Sequence, residues 1–375
     1  MKFSIKREAL LQPLQIISGV IERKQTLPIL SNILFEVQQD SLNLTGTDLE
    51  IEMVSTAQVD LIESAGIFTV PARKLLDITK SLPESSVLNF QLDGERILLK
   101  SARSRFGLAT LPSNDFPSLD ESDDQIFIEL TQAQLRGLIQ KTAFSMAVQD
   151  VRYFLNGLLL HIKDDRLQAV ATDGHRLALA SVKMKAPVTD EQQLIIPRKG
   201  VLELLRLLHD DDSPAEIGLG TNHIRVKTEQ FTFTSKLIDG RFPDYNRVIP
   251  AHSTKKMIVD KELLRSALQR AAILSSEKYR GIRMILDGTL LKVQASNPDQ
   301  EESEEELQVE YDGIELEIGF NVSYLLEVLS VLDTELVQIG MTDANGSALV
   351  QAVFPPASDI EDKFYSRYVV MPMRL

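Results

Sequence analysis

Apolar and polar positions alternate along this chain with two periods, and the two periods recur three times in the same order. Each recurrence opens with a short alternating run, Phe3 to Ile5, Ile126 to Leu130 and Met257 to Val259, which predicts a strand. A one-sided helical stripe follows. It comprises Leu10, Leu14 and Ile17 within 7–21, then Leu135, Leu138, Ile139 and Thr142 within 132–146, then Leu264, Ala267, Leu268 and Ala271 within 261–274. Spacings of three and four residues place each set on one helix face. Thr131 and Gln134 form a capping-box start for the second helix, and Asp260 is the expected N-cap of the third. Pro13 lies inside the first stripe and predicts a kink or a late start.

Period-two stretches come next, turning at Gln39-Asp40, Asp164-Asp165 and Asp287-Gly288. Such dipeptides between alternating runs predict hairpins. A further strand and a second helix follow in each case, from 72, 198 and 322, and more hairpins close each repeat. Corresponding pairs keep register: Thr47-Asp48 with Thr172-Asp173 at an offset of 125, and Thr172-Asp173 with Ser296-Asn297 at 124. Val70-Pro71 and Ile196-Pro197 are offset by 126, and Ile196 and Phe320 by 124. The pattern predicts an α+β protein of three like domains, 1–125, 126–253 and 254–375, each with two helices and antiparallel sheets. Residues 115–125 and 250–256 read as solvated linkers, and Glu301 to Glu306 as an acidic hairpin connection.

A length of 375 residues suits two to four domains. Cysteine is absent, which excludes disulfides, thiolate metal sites and a cysteine nucleophile. No apolar run reaches the roughly 18 residues of a membrane span, and the first residues lack a secretory pattern. A reducing cytoplasm, associated with the nucleoid, is the expected location, without membrane contact. The net charge of −14 argues against a broad basic surface for nucleic acid. By domain the charge is −6, +1 and −9. Its distribution changes the picture. The predicted helices 7–24, 72–80, 132–147, 198–208, 261–280 and 322–332 carry 16 Lys and Arg against 7 Asp and Glu, net +9. Everything else carries 24 against 47, net −23. Such a molecule repels phosphate except at its helices, which suits loose, sliding contact with DNA. The plainer alternative is the ordinary preference of Lys and Arg for helix C-termini.

Catalytic chemistry finds little support. Asp173-Gly174-His175-Arg176 brings an acid and an imidazole two residues apart, but a metal site wants three or four ligands and the five histidines show no ligand spacing. No phosphate-cradling glycine loop and no nucleophile elbow is present. No cofactor is expected. The C-terminus, Tyr368 to Leu375, is apolar with two methionines, so it either joins the last sheet or lines a groove.

The stretches LTGTDLEIEM, VPARK, SRF, TLPSNDFP, QDVRY, ATDGHRLA, IPRKGV, FTSKLIDGRFPDY, AAILSSEKYRG, IGFNVSYLLEVL and the ending YVVMPMRL carry a resemblance. The chain resembles, end to end, the bacterial DNA polymerase III beta subunit family, the sliding clamps. The resemblance implies a DNA-clamp fold in a head-to-tail homodimer, a six-domain ring lined by helices. It implies a non-catalytic processivity factor that encircles duplex DNA without reading sequence. The implied partners are the replicative polymerase alpha subunit, an ATP-dependent clamp loader and translesion and repair polymerases.

By position, the resemblance implies a partner-peptide groove of Leu155, Thr172, Gly174, His175, Arg176, Leu177, Pro243, Arg247, Val248, Ser347, Val370, Met371, Pro372, Met373, Arg374 and Leu375, flanked by Asn321 and Tyr324. Leu, Val and Met suit a Leu-Phe anchor, while the polar members orient it. It implies DNA contacts at Lys24, Arg73, Gln149, Tyr153 and Phe154. It also implies a dimer junction with Arg103, Arg105, Phe106 and Leu108 on one side. Ile273, Leu274, Glu301, Glu302, Glu304 and Glu305 lie on the other. Phe354 to Arg367 is longer than the family pattern and reads as an extended hairpin tip.

Overall fold

The computed structural model describes all residues except 22–26, 39–40, 120–125, 186, 188–190, 355–363 and 375. The predicted hairpin turn Gln39-Asp40 and most of the long segment before the C-terminal strand lie outside the described residues. Six α-helices are formed: α1 Arg7–Ser18, α2 Ala72–Ser81, α3 Gln132–Gln140, α4 Arg198–Leu207, α5 Lys261–Ile273 and α6 Val322–Val331. Around them one order runs three times: strand, helix, three strands, a strand leading into the second helix, then three strands, with one extra short strand before the second helix in the first and third repeats, Leu61–Ser64 and Glu310–Tyr311. The strands after the first helix of each repeat begin at Asn32, Gly157 and Gly281, so the repeat seen in the hydropathy is also a repeat of structure.

The chain forms two compact units, Met1–Leu135 with Leu202–Leu237, and Arg136–Val201 with Ile238–Leu375. The central repeat contributes to both. In the first unit an eight-stranded sheet joins two repeats, with Thr232–Lys236 antiparallel to Ile51–Gln58. In the second a nine-stranded sheet does the same, with Arg176–Lys183 antiparallel to Tyr365–Val370. Each junction sets the third hairpin strand of one repeat against the last strand of another. Two strands of those same types are sheet edges among the described residues. Ser104–Ala109 ends the five-stranded sheet of the first unit, and Glu302–Gln308 ends the four-stranded sheet of the second.

Burial holds each unit together. In the first, Phe3 stacks on Phe90 with ring centroids 4.7 Å apart, and Phe35 meets Phe68 at 4.9 Å. Such pairs add about 1 kcal/mol to the area they bury. In the second, Leu264, Leu268, Met284, Phe320 and Tyr368 share a core without solvent exposure.

Both expected helix starts are present. The Gln134 N–H donates to the Thr131 hydroxyl at 3.2 Å, and the Thr131 N–H donates to the Gln134 side-chain oxygen at 3.0 Å. The Leu263 N–H donates to Asp260 at 2.8 Å. Each leading helix ends earlier than its predicted span, at 18, 140 and 273 rather than 24, 147 and 280. Short polar side chains turn back on the carbonyls there: Thr142 donates to the Leu138 oxygen at 2.6 Å and Ser275 to that of Ala272 at 2.8 Å. Pro13 does not delay α1, which starts at Arg7 and buries the proline ring beside Leu14.

Two further expectations are corrected. The acidic run is no loop, since Glu302–Gln308 is a strand with outward residues at every second position. The supposed linker after 115 is anchored, because Phe116 packs with Ile29 and Leu30. The charge asymmetry persists. The six helices carry 11 Lys and Arg against 5 Asp and Glu, and the remaining positions carry 29 against 49.

Candidate functional site

The second unit brings most of the predicted groove residues together at one end of its nine-stranded sheet. The floor is apolar. Leu155, Leu177 and Val369 pack with Val170, Phe242, Tyr245 and Leu349, and Val370 is fully buried beside them in the strand. The strand register sets Val370 opposite both Arg176 and Ala348, which fixes the half-buried Ser347 beside the same end.

The turn at 172–176 is built by its own polar side chains. The Thr172 hydroxyl donates to the Arg176 carbonyl at 2.6 Å and accepts the Gly174 N–H at 3.1 Å. The Asp173 carboxylate accepts the His175 and Arg176 N–H groups at 2.9 and 3.0 Å. Gly174 sits at φ +88°, a backbone conformation that favours glycine, and a Cβ there would stand 3.0 Å from the end of the Arg152 side chain. Asp173 is thus spent on backbone and on Arg176 Nε at 3.1 Å, and His175 points to solvent. They do not form an acid–base pair.

Arg176 is the most constrained charge here. Its guanidinium donates to Asp173, to Glu327 and to the Phe144 carbonyl at 2.7 Å. It lies over the Tyr324 ring at 4.4 Å and the Phe144 ring at 5.3 Å. Burial, with Asp173 nearby, raises the Tyr324 hydroxyl above its ordinary range. The sequence reading left Glu327 unassigned; the signal for it was its spacing of three from Tyr324 on one helix, which puts both on one face. Asn321 caps α6 by accepting the Ser323 N–H at 2.9 Å, and its amide reaches the Tyr279 carbonyl.

One wall is the 3₁₀ turn Tyr245–Arg247, held by the buried Phe242 and Tyr245 and exposing Pro243 and Val248. Arg247 projects into solvent with Asp244 at 3.0 Å. The C-terminal tail forms the other side. The Met371 N–H donates to the His175 carbonyl and the Met373 N–H to the Gly319 carbonyl, each at 2.9 Å. Alternate residues therefore tie the tail to two sheets, leaving Met371 exposed and Pro372 and Met373 half-buried. Leu375 lies outside the described residues. Met373 and Arg374 also border a cleft of about 720 Å³ with Tyr279, Arg283, Glu302 and Glu304, which no sequence motif had marked.

The other predicted residues are dispersed. Lys24 lies outside the described residues, and Arg73 is exposed on α2 in the first unit. Gln149 and Tyr153 are exposed in the second unit, whereas Phe154 packs against the groove floor and meets Tyr153 edge-on at 5.7 Å. In that loop Arg152 grips Asp150 and holds its carboxyl down to about 2. Arg103 is exposed just before the edge strand Ser104–Ala109, which holds the exposed Arg105, Phe106 and the buried Leu108. Ile273 is exposed and Leu274 half-buried at the end of α5. Of the acids, Glu301 accepts from Asn297, Glu304 from Gln294, and Glu305 from Arg270, which lowers the Glu305 carboxyl. Glu302 is exposed on the same strand. Among the described residues, no group of three or more His, Asp or Glu is placed to hold a metal, and no helix is long and apolar enough to cross a membrane.

Three strand–helix repeats that share sheets across their boundaries, with the C-terminal tail bonded beside an apolar cluster, define a clamp-type protein. Residues 1–120, 129–244 and 246–374 match the N-terminal, central and C-terminal domains of the DNA polymerase III beta subunit. The chain is 54% identical to the beta sliding clamp of Pseudomonas aeruginosa and 48% identical to that of Escherichia coli K12, over the whole of each chain. The crystal structure of the P. aeruginosa DNA polymerase III subunit beta superposes with a TM-score of 0.95 at 53% identity, covering both chains fully. That of the P. aeruginosa clamp bound to griselimycin superposes with a TM-score of 0.95 at 54% identity, again with full coverage. The chain belongs to the DNA polymerase III beta subunit family, the beta sliding clamps.

Proposed function

We propose that the protein is the processivity factor of a replicative DNA polymerase, a non-catalytic ring of two copies that encircles and slides on duplex DNA. The observation that carries this reading is the pair of edge strands. Within the chain, repeats join by setting a third hairpin strand against another repeat's last strand. Glu302–Gln308 and Ser104–Ala109 are the remaining strands of those types, and an open edge seeks a partner. Pairing one with the other on a second copy continues the same rule head to tail, and two copies close. Arg103 and Arg105 then face Glu301, Glu302, Glu304 and Glu305, with Phe106, Leu108, Ile273 and Leu274 supplying apolar contact.

The basic helices support a duplex held by phosphate contact alone, with Lys24, Arg73, Gln149, Tyr153 and Phe154 as contact candidates. The three repeats, 1–125, 126–253 and 254–375, are the domains of this ring. Leu155, Thr172, Gly174–Leu177, Pro243, Arg247, Val248, Asn321, Tyr324, Ser347 and the tail from Val370 to Leu375 receive short peptides with an apolar anchor. These come from the polymerase alpha subunit, the ATP-dependent clamp loader and the translesion and repair polymerases. Tethering raises the local concentration of polymerase at the primer end. The compartment is the cytoplasm, at the nucleoid.

The test is topological. The protein is loaded onto nicked circular DNA with a bacterial clamp loader and ATP, washed in high salt, and the circle is then cut. Retention before cutting and release after it is the expected result. Retention on linear DNA, or loss from circle and line alike, overturns the ring.

A further inference from the structure

Sulfur in this chain is methionine alone, since cysteine is absent, and the nine thioethers are unevenly placed. Met53, Met146, Met184, Met257, Met284 and Met341 are buried at 4% exposure or less. Met1 is half-buried in the first unit and Met373 half-buried in the C-terminal tail. Met371 alone among the methionines stands open to solvent, at 43% exposure. The backbone keeps it there. Its N–H donates to the His175 carbonyl and the Met373 N–H to the Gly319 carbonyl, each at 2.9 Å, so the tail is tied on both sides of Pro372. Val370, just before it, is fully buried in the strand opposite Arg176. Val369, one residue further back, packs with Leu155 and Leu177. The most accessible thioether is therefore fixed beside the apolar cluster. A thioether is at once soft apolar surface and an oxidisable group.

We propose that Met371, with Met373 two residues on, is a site of reversible oxidation to the sulfoxide, and that oxidation there weakens binding of partner peptides. This rests on the peptide-groove reading above. The oxidant is a peroxide. The thioether sulfur attacks one oxygen of hydrogen peroxide with a lone pair, an S–O bond forms and the O–O bond breaks. The departing hydroxide takes the proton of the transferred oxygen and leaves as water. Sulfur loses two electrons and the peroxide gains them. Selectivity follows from access, because peroxide meets Met371 in the folded chain, whereas the six buried sulfurs are reached only when a core opens. No thiol in the chain competes for the oxidant. The product changes the surface. Water satisfies the sulfoxide oxygen while the tail is open, but an apolar peptide anchor laid over it strips that water and supplies no donor. Methionine sulfoxide reductases, one for each sulfoxide epimer, reverse the change. They take the oxygen off as water with an electron pair from thiols, which become a disulfide.

The experiment treats the full-length protein with graded hydrogen peroxide, removes the peroxide, and divides each sample. One part is digested and its methionine-containing fragments are weighed by mass spectrometry. The other is titrated with a sulfur-free synthetic peptide ending in Leu-Phe. The native chain, Met371→Leu and the double variant Met371→Leu with Met373→Leu are each compared with themselves before and after peroxide, so the effect of substitution itself cancels. In the native chain the tail fragment is expected to gain oxygen before the fragments of the six buried methionines, and peptide affinity to fall about tenfold as it does. The fall should shrink in Met371→Leu, vanish in the double variant, and be reversed by the two reductases with a thiol. Oxidation of the buried methionines ahead of the tail, affinity that survives tail oxidation, or an equal fall in the native and double-variant chains overturns the proposal and leaves the groove standing. So does a loss of affinity that thermal melting traces to unfolding. Failure of the untreated native chain to bind the peptide overturns both readings. Should the substituted chains not fold, reversal in the native chain decides: affinity must return as the tail fragment loses its oxygen, and affinity that stays low overturns the proposal.

Discussion

Arg176 combines roles that are usually separate. Two carboxylates, a carbonyl and two aromatic rings hold it in place, so it is a structural tie between the turn at 172–176 and α6 as well as a member of the proposed groove. Replacing it by alanine strands Asp173 and Glu327 together. Discounted for solvent at the half-exposed Glu327, the expected loss is about 2 kcal/mol of unfolding free energy, read by urea titration, together with loss of peptide affinity. Gly174→Ala is expected to be destabilised without any change of charge, because φ +88° is strained for a residue with a Cβ. At Asp150 the sign of the pH dependence follows from its partner. A carboxyl held down to about 2 by Arg152 favours the folded loop above the ordinary aspartate range, and that preference is lost as pH falls towards 2. Following the Asp150 carboxyl by NMR during an acid titration should show it ionised at pH 3, and an ordinary midpoint near 3.9 would refute the grip.

At the scale of elements, the caps at α3 and α5 were legible because they are local, needing only residues three apart. Thr131→Val is expected to cost about 1 kcal/mol in thermal or chemical unfolding, with Thr131→Ser nearly neutral. The acidic stretch reads as a connection because five acids in the six residues 301–306 outweigh any strand propensity in a local window. The strand forms because Leu290–Ser296 supplies a partner ladder and Arg270 and Lys292 take up two of the charges. Its outward acids remain available to a second copy. Glu302→Lys combined with Glu304→Lys is expected to shift dimer towards monomer in sedimentation, without lowering the melting point of the monomer. Adding Arg103→Glu and Arg105→Glu should restore dimer if these charges meet.

For the molecule as a whole, hydropathy alone exposed the threefold repeat, because strand and helix periods depend on neighbours a few residues away. The asymmetry between basic helices and an acidic remainder was equally readable, since charge is counted residue by residue. Similarity of long motifs supplied the family, and with it a groove roster of which the described part converges in one unit. Other features belonged to tertiary structure. Sheets that cross repeat boundaries follow from strands more than a hundred residues apart finding each other's edges, which no local pattern encodes. Phe154 packs partly against the apolar cluster while Tyr153 beside it stays exposed, because packing, not its neighbours in sequence, decides which aromatic faces inward. Glu327 and the His161–Tyr245 bond likewise join residues 151 and 84 positions apart. The sequence by itself determined the repeats, the helix starts and the sign of charge on each element. Only the tertiary structure decided which polar groups pair in the interior, because a buried hydrogen bond depends on distances that the folded chain alone sets.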